Sequence, residues 1–141
     1  YAPPFGTGKD AVNFAGYVAS NILHGSFKHV AMSAVRDLVE QGSYILDVRE
    51  MYEYDKGHIK NAHIIPLSEL RDRYAEIPTD EPIYVHCRSG QRSYNAVLAL
   101  QAKGYRQVFN ISGGFLGVCA YEYFNDKTQG REPIVTDYDL K

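Results

Sequence analysis

One stretch of the 141-residue chain combines residue types and spacing that can do chemistry: Tyr84-Val85-His86-Cys87-Arg88-Ser89-Gly90-Gln91-Arg92-Ser93. An apolar run, Ile83 to Val85, leads in, and a helical run, Tyr94 to Ala102, leads out. The pattern reads as strand, tight loop and helix, with a cysteine where the strand ends. Small loop residues let backbone N–H groups turn inward and join the first free N–H groups of the helix. Together they make an anion cradle at the positive end of the helix dipole. Arg88 and Arg92 add two cations. This setting suits a nucleophilic thiolate, because reactive thiols sit in electropositive, partly exposed places. The plainer alternative is a buried core cysteine. His86 is adjacent to Cys87 in a strand and so points to the opposite side, which argues against a direct His–Cys pair.

Loop length separates two thiolate chemistries. Tyrosine-phosphatase-like sites use Cys-x-x-x-x-x-Arg, a loop sized for a phosphate. Here four residues separate Cys87 from Arg92, and Ser93 holds the phosphatase arginine's position. The shorter loop resembles that of the rhodanese family of sulfurtransferases. The resemblance extends through Asp47-Val48-Arg49-Glu50, Glu53-Tyr54, Gly57-His58-Ile59, Ala62, Ile65-Pro66-Leu67, Gly104-Tyr105, Val108, Asn110 and Gly113-Gly114, covering roughly residues 28–118. The Phe115–Ala120 run departs from the polar stretch that more often follows the glycine pair.

The resemblance implies a rhodanese-like α/β fold: a central five-stranded parallel sheet with helices on both faces and the Cys87 loop at its C-terminal edge. It implies Cys87 as the catalytic residue, and Arg88, Ser89, Gly90, Gln91, Arg92 and Ser93 as the active loop that binds substrate. Sulfur would move through a Cys87 persulfide, from donors such as thiosulfate, polysulfide or coenzyme A persulfide to thiol acceptors. Arg88, on the loop's outer side, would select the donor while Arg92 anchors the loop. Two rivals remain: a non-catalytic rhodanese-like binding module, and a cysteine phosphatase or arsenate reductase, which would need a longer loop.

The flanking elements are those of an alternating α/β chain. Strands are expected at Phe27–Val30, Tyr44–Val48, His63–Pro66, Ile83–Cys87 and Gln107–Ile111. Ser33 can cap a helix through about Glu40, and Ser68 one over Glu69–Tyr74. Gly113-Gly114 opens a helix with Phe115, Val118, Cys119 and Phe124 on its apolar side. Asp47 and Arg49, at a strand end, can pair with each other or with loop groups, in a supporting rather than chemical role. His58 reads as a ring bonded to backbone, not as a base for Cys87. Cys119 reads as a packed thiol.

Residues 1–26 stand apart. Asp10 can cap a helix with Ala11, Phe14, Ala15, Val18, Ile22 and Leu23 at helical spacing, stopped by Gly25. Tyr1-Ala2-Pro3-Pro4-Phe5, Lys9-Asp10, Val12-Asn13 and Ala15-Gly16-Tyr17 resemble the end of the dimerisation domain of flavin-dependent pyridine nucleotide–disulfide reductases of the coenzyme A disulfide reductase type, some of which carry a C-terminal rhodanese domain. That resemblance implies a homodimeric parent with FAD and NAD(P)H, in which Tyr1 is the counterpart of a tyrosine near the partner subunit's active site. These residues contain no flavin- or nucleotide-binding sequence, so no cofactor and no metal is expected in this chain. The expected division is a reductase remnant or linker helix over 1–26, a rhodanese-like domain over 27–125 and a polar tail over 126–141. A chain opening on Tyr1 fits an excised piece of a longer protein.

The net charge of −2 provides no field for nucleic acid or a membrane surface. No apolar run is long enough to span a bilayer. Two cysteines in unrelated contexts make no disulfide framework, and a free reactive thiol fits a reducing cytoplasm.

Overall fold

The computed structural model describes residues 28–140. The N-terminal appendage, its expected helix and Tyr1 lie outside the described residues. Five strands, β1 (His29–Val30), β2 (Tyr44–Asp47), β3 (His63–Ile64), β4 (Ile83–His86) and β5 (Val108–Ile111), form one sheet in the order β1-β5-β4-β2-β3. Every neighbouring pair is parallel. Strands in such a sheet are covered on both faces, which is why β2 and β4 read as continuous apolar runs rather than as alternation.

Among the described residues there are four α-helices: α1 (Val35–Glu40), α2 (Met51–Lys56), α3 (Gln91–Lys103) and α4 (Gly114–Gln129). Alternation along each strand divides the core in two. On one face Leu46, Val85 and Val108 pack with Ala96, Val97 and Leu100 of α3 and with Leu70 and Ile77. On the other, Ile45 and Ile111 pack with Val35, with Phe115, Val118 and Cys119 of α4, and with Ile134 and Val135. Among the described residues no helix is long and apolar enough to cross a membrane.

Two capped helices take another form. Leu67–Asp72, entered from Pro66, and Tyr74–Glu76, entered from Arg73, are 3-10 turns without a side-chain cap. A 3-10 turn, Met32–Ala34, precedes α1, which also lacks a side-chain cap. Proline at 66 sets the entry backbone itself, so Ser68 is not needed there.

The expected tail is the larger correction. The helix continues past residue 125 to Gln129, and Ile134 and Val135 are buried. Val135 pairs in an isolated antiparallel bridge with Ile59, and Lys60 N–H donates to Ile134 C=O at 2.8 Å. Polar composition misleads here because the charged groups pair with one another. Arg36 and Arg131 converge on Glu122 and Asp126, at 2.6 and 2.8 Å from Arg36 and 3.1 Å each from Arg131. Tyr138 O–H donates to Asp126 at 2.6 Å. Glu122 and Asp126 thus occupy inward positions of α4 that would otherwise take apolar residues, a burial tolerable only with these partners. Phe124, expected inside, faces water. It lies off the inward line that runs through Phe115, Val118, Cys119, Glu122 and Asp126.

Ile134→Ala should therefore behave as a core substitution. A loss of ~2–4 kcal/mol in urea unfolding is expected. A change below about 0.5 kcal/mol, the surface range, would mean that residues 131–140 do not pack on the domain in solution.

Candidate active site

β2 and β4 end side by side at the C-terminal edge of the sheet, where Asp47 is level with His86. Open parallel sheets place their ligand crevices at that edge. Cys87 follows β4 directly, and its loop closes at Gly90, where α3 begins. Gly90 has φ +125°, a backbone conformation that side chains disfavour. Its N–H meets Cys87 Sγ at 3.0 Å. Ser93 Oγ, one helical turn into α3, lies 3.5 Å from Sγ and donates to Gly90 C=O at 3.1 Å. Of the N–H cradle expected around the thiol, Gly90 N–H is the donor on sulfur here, while the Cys87 thiol itself donates to Ser93 Oγ. Cys87 is 1 % exposed rather than partly open, because its side chain points into the α3-side cluster and the loop folds over it. Ser89 and Gln91 are exposed on the loop's rim.

Neither loop arginine is free. Arg92 makes a two-pronged ion pair with Glu53 of α2, Nη1 to Oε2 at 2.6 Å and Nη2 to Oε1 at 2.9 Å. Such bidentate geometry is the strong form of the interaction. Glu53 also accepts the Glu50 N–H at 3.0 Å, closing a capping box, so one carboxylate both starts α2 and ties the loop to it. The Arg92 hydrogen bonds hold Glu53 below the usual carboxylate range against the opposing effect of burial, and Glu53 raises Arg92 in return. Arg88 turns outward, and its Nε donates to Asp139 at 3.1 Å.

The loop backbone is held from the other side by α4. Phe115 N–H donates to Cys87 C=O at 2.8 Å and Leu116 N–H to Arg88 C=O at 3.0 Å. A Cβ on Gly114 would lie 2.5 Å from Arg88 O, and Gly114 has φ +62°. Beneath the loop, Asp47 and Arg49 pair with each other, Oδ2 to Nη2 at 2.7 Å and Oδ1 to Nε at 2.9 Å. Arg49 also reaches Gly57 C=O at 2.9 Å, and its guanidinium lies 4.2 Å from the Phe115 ring centre. Burial works against the Asp47 carboxylate, yet His86 and Arg49 together hold it below the usual range. His86 is fully buried, which lowers it; Asp47, 3.6 Å from Nε2, opposes that shift. Its Nδ1 bonds Cys87 C=O at 3.1 Å.

His58 is engaged elsewhere: Nδ1 bonds Tyr54 C=O at 2.9 Å and the two rings stack at 3.7 Å. Cys119 is buried, which pushes its thiol up to about 11, and its sulfur accepts the Asp139 N–H at 3.3 Å. A cleft of about 690 Å³ opens beside the loop, walled by Tyr52, Glu53, Lys56, Arg88, Phe115 and Asp139, with Arg49 at its base. Asp139 had no motif to flag it, and Glu53 stood only inside a matching string with no partner assigned. The capping-box spacing Glu50-x-x-Glu53 was the available signal for Glu53.

Residues 31–121 match the family model described as rhodanese-like domain. The chain belongs to the rhodanese-like family. Thiosulfate sulfurtransferase GlpE of Haemophilus influenzae (strain 86-028NP) is 33% identical over 109 residues, 73% of this chain and 98% of that protein. Among solved structures, reduced CoADR-RHD of Bacillus anthracis superposes with a TM-score of 0.71 and 48% identity over 82% of this chain. A NAD-dependent persulfide reductase from A. fulgidus gives 0.64 and 34% over 81%. In each case the match spans only 20% of the larger chain. The expected five-stranded rhodanese-like fold and sulfurtransferase kinship therefore hold.

Two outcomes follow for this rhodanese-like domain. Gly114→Ala, strained in φ and driven against the loop carbonyls, should cost ~2–4 kcal/mol in urea unfolding and displace the loop. Wild-type stability would show that α4 does not clamp the loop. The second concerns pH. Because burial lowers His86 in the folded state, the unfolded chain binds a proton that the native chain refuses. Stability should fall as pH drops below about 6.5, by at most ~1.4 kcal/mol per pH unit from this group. Asp47 adds its loss only further down, as pH falls below the ordinary carboxylate range. Urea midpoints between pH 7.5 and 5.5 should flatten in His86→Asn; an unchanged slope would exonerate His86.

Proposed function

We propose that this rhodanese-like domain transfers sulfane sulfur through a persulfide on Cys87. The observation that carries the reading is the surroundings of one sulfur atom. Cys87 Sγ sits at the end of the central strand with Gly90 N–H and Ser93 Oγ on it, inside a loop whose Arg92 points away to Glu53. A phosphatase loop would carry its arginine one position later, where Ser93 stands here, and turn it inward onto a phosphate. The kinship with a thiosulfate sulfurtransferase supports the same reading.

In the first half-reaction the Cys87 thiolate attacks the outer sulfur of a donor. A Cys87 S–S bond forms, the donor's own sulfur–sulfur bond breaks, and the leaving group takes the bonding electron pair: sulfite from thiosulfate, a thiolate from a persulfide. In the second, an acceptor thiolate or cyanide attacks the outer sulfur of the Cys87 persulfide and releases the Cys87 thiolate. The attacking species is the thiolate, the nucleophilic form of cysteine. Gly90 N–H and the Ser93 hydroxyl, which can rotate from Gly90 C=O toward sulfur, oppose the charge on the cysteine sulfur as it leaves. Arg92, held by Glu53, keeps the loop in register rather than binding the donor.

The resemblance of residues 1–24 to a reductase dimerisation domain, and the likeness to one-fifth of CoADR-RHD and of a NAD-dependent persulfide reductase, support a wider setting. In that setting the domain works beside a homodimeric reductase that holds FAD and NAD(P)H and reduces coenzyme A disulfide, persulfide or polysulfide. Sulfur from the Cys87 persulfide would be passed to it.

Intact mass after incubation with thiosulfate, and separately with polysulfide, tests the central step. Wild type should gain one sulfur atom, lost on treatment with a thiol reductant, and Cys87→Ala should gain none. No gain with either donor would leave a non-catalytic binding module as the better account.

A further inference from the structure

The charge balance around the thiol differs from that of a site built to attract anions. Both loop arginines already have carboxylate partners within the chain, and the partner of Arg88 comes from the far C-terminal segment. That segment is firmly seated. Thr136 N–H donates to His58 C=O at 2.8 Å, His58 N–H to Thr136 Oγ1 at 3.0 Å, and Asp139 N–H to Cys119 Sγ at 3.3 Å. Gly57 has no room for a side chain, since a Cβ there would lie 2.7 Å from Asp137 O. The chain leading into Asp139 is thus fixed up to its own N–H, and Asp139 lines the cleft beside the loop.

We propose that Asp139 is a specificity-determining residue for sulfur transfer. By holding Arg88, it withdraws the cation that a small dianionic donor such as thiosulfate needs, and it favours donors that react as neutral or singly charged persulfides. The inference rests on the sulfur-transfer reading above. Thiosulfate must either displace a carboxylate from Arg88 or lie beside it, and like charges at close quarters repel strongly where water is partly excluded. An organic persulfide meets a weaker penalty, because its reacting end carries at most one charge. Its organic part can lie against the exposed ring of Tyr52, which also lines the cleft. Sulfur and electrons move as already described, with a thiolate leaving in place of sulfite. Arg88 and Asp139 are both partly exposed, so the discrimination is graded rather than absolute.

The test is single-turnover loading of Cys87 in the full chain, read as mass gain against time. The donors are thiosulfate and the uncharged-chain persulfide of 2-mercaptoethanol. In Asp139→Asn the ratio of thiosulfate to persulfide loading rates should rise about fivefold, the upper range for a partly exposed ion pair, and the change should lie in the thiosulfate concentration dependence. Asp139→Glu, which keeps the charge, should hold the wild-type ratio. The rise should vanish when Asp139→Asn is combined with Arg88→Met. An unchanged ratio in Asp139→Asn, with wild type loading from either donor, overturns the proposal alone. So does a rise that survives Arg88→Met, or one that Asp139→Glu reproduces. Failure of wild type to load from any donor overturns the sulfur-transfer reading and this inference with it.

Discussion

The bond from Phe115 N–H to Cys87 C=O is the constraint on which the site's geometry depends. A loop of four residues between a strand and a helix has few internal bonds of its own, so its carbonyls need partners from outside. The first N–H groups of α4 have no partners within their own helix, and they supply that need. The two backbones can approach so closely only because Gly114 lacks a side chain and accepts a positive φ. With the carbonyls of Cys87 and Arg88 fixed from above and β4 fixed from below, the position of Sγ follows. The Gly90 N–H then meets it at bonding distance.

The second organising feature is pairing of charge. Asp47 with Arg49, Glu53 with Arg92 and Asp139 with Arg88 are three ion pairs at increasing exposure, from the floor of the site to its mouth. Burying an unpaired arginine beneath the loop would cost several kcal/mol, on the order seen when one partner of a buried pair is removed. Asp47 and the face of Phe115 together make Arg49 tolerable there. At the mouth the same pairing has a different consequence, because it determines how much positive charge is left for a ligand.

Much of this was legible in the chain. Cys87 after an apolar run, glycine at the loop's tight point and a helix beginning at once afterwards are local signals, and local signals survive folding. The parallel order of the strands follows from alternation of strand and helix. The Asp47–Arg49 pair was legible as one of two options, since residues two apart at a strand end share a face. The burial of Cys87 was not legible, because exposure depends on how the loop folds over its own first residue. Ile134 and Val135 were hidden as well. Two apolar residues in a polar stretch give no period, and the arginines and carboxylates around them resemble a solvated tail until their partners on α1 and α4 are known.

The fate of Arg88 and Arg92 illustrates the limit most sharply. Two arginines four apart beside a cysteine read as an anion trap, and by composition of the loop alone that reading is sound. Their charges are cancelled by Glu53, 39 positions before Arg92, and by Asp139, 51 positions after Arg88. A local motif reports which charges are present but not which are free. The free charge at a site is a property of the whole fold. For this domain it is set partly by a segment that lies beyond the 31–121 family match and carries no motif. Domains that share the loop but differ in that segment should therefore differ in the positive charge their loops leave unpaired, even where every residue from Cys87 to Ser93 is the same.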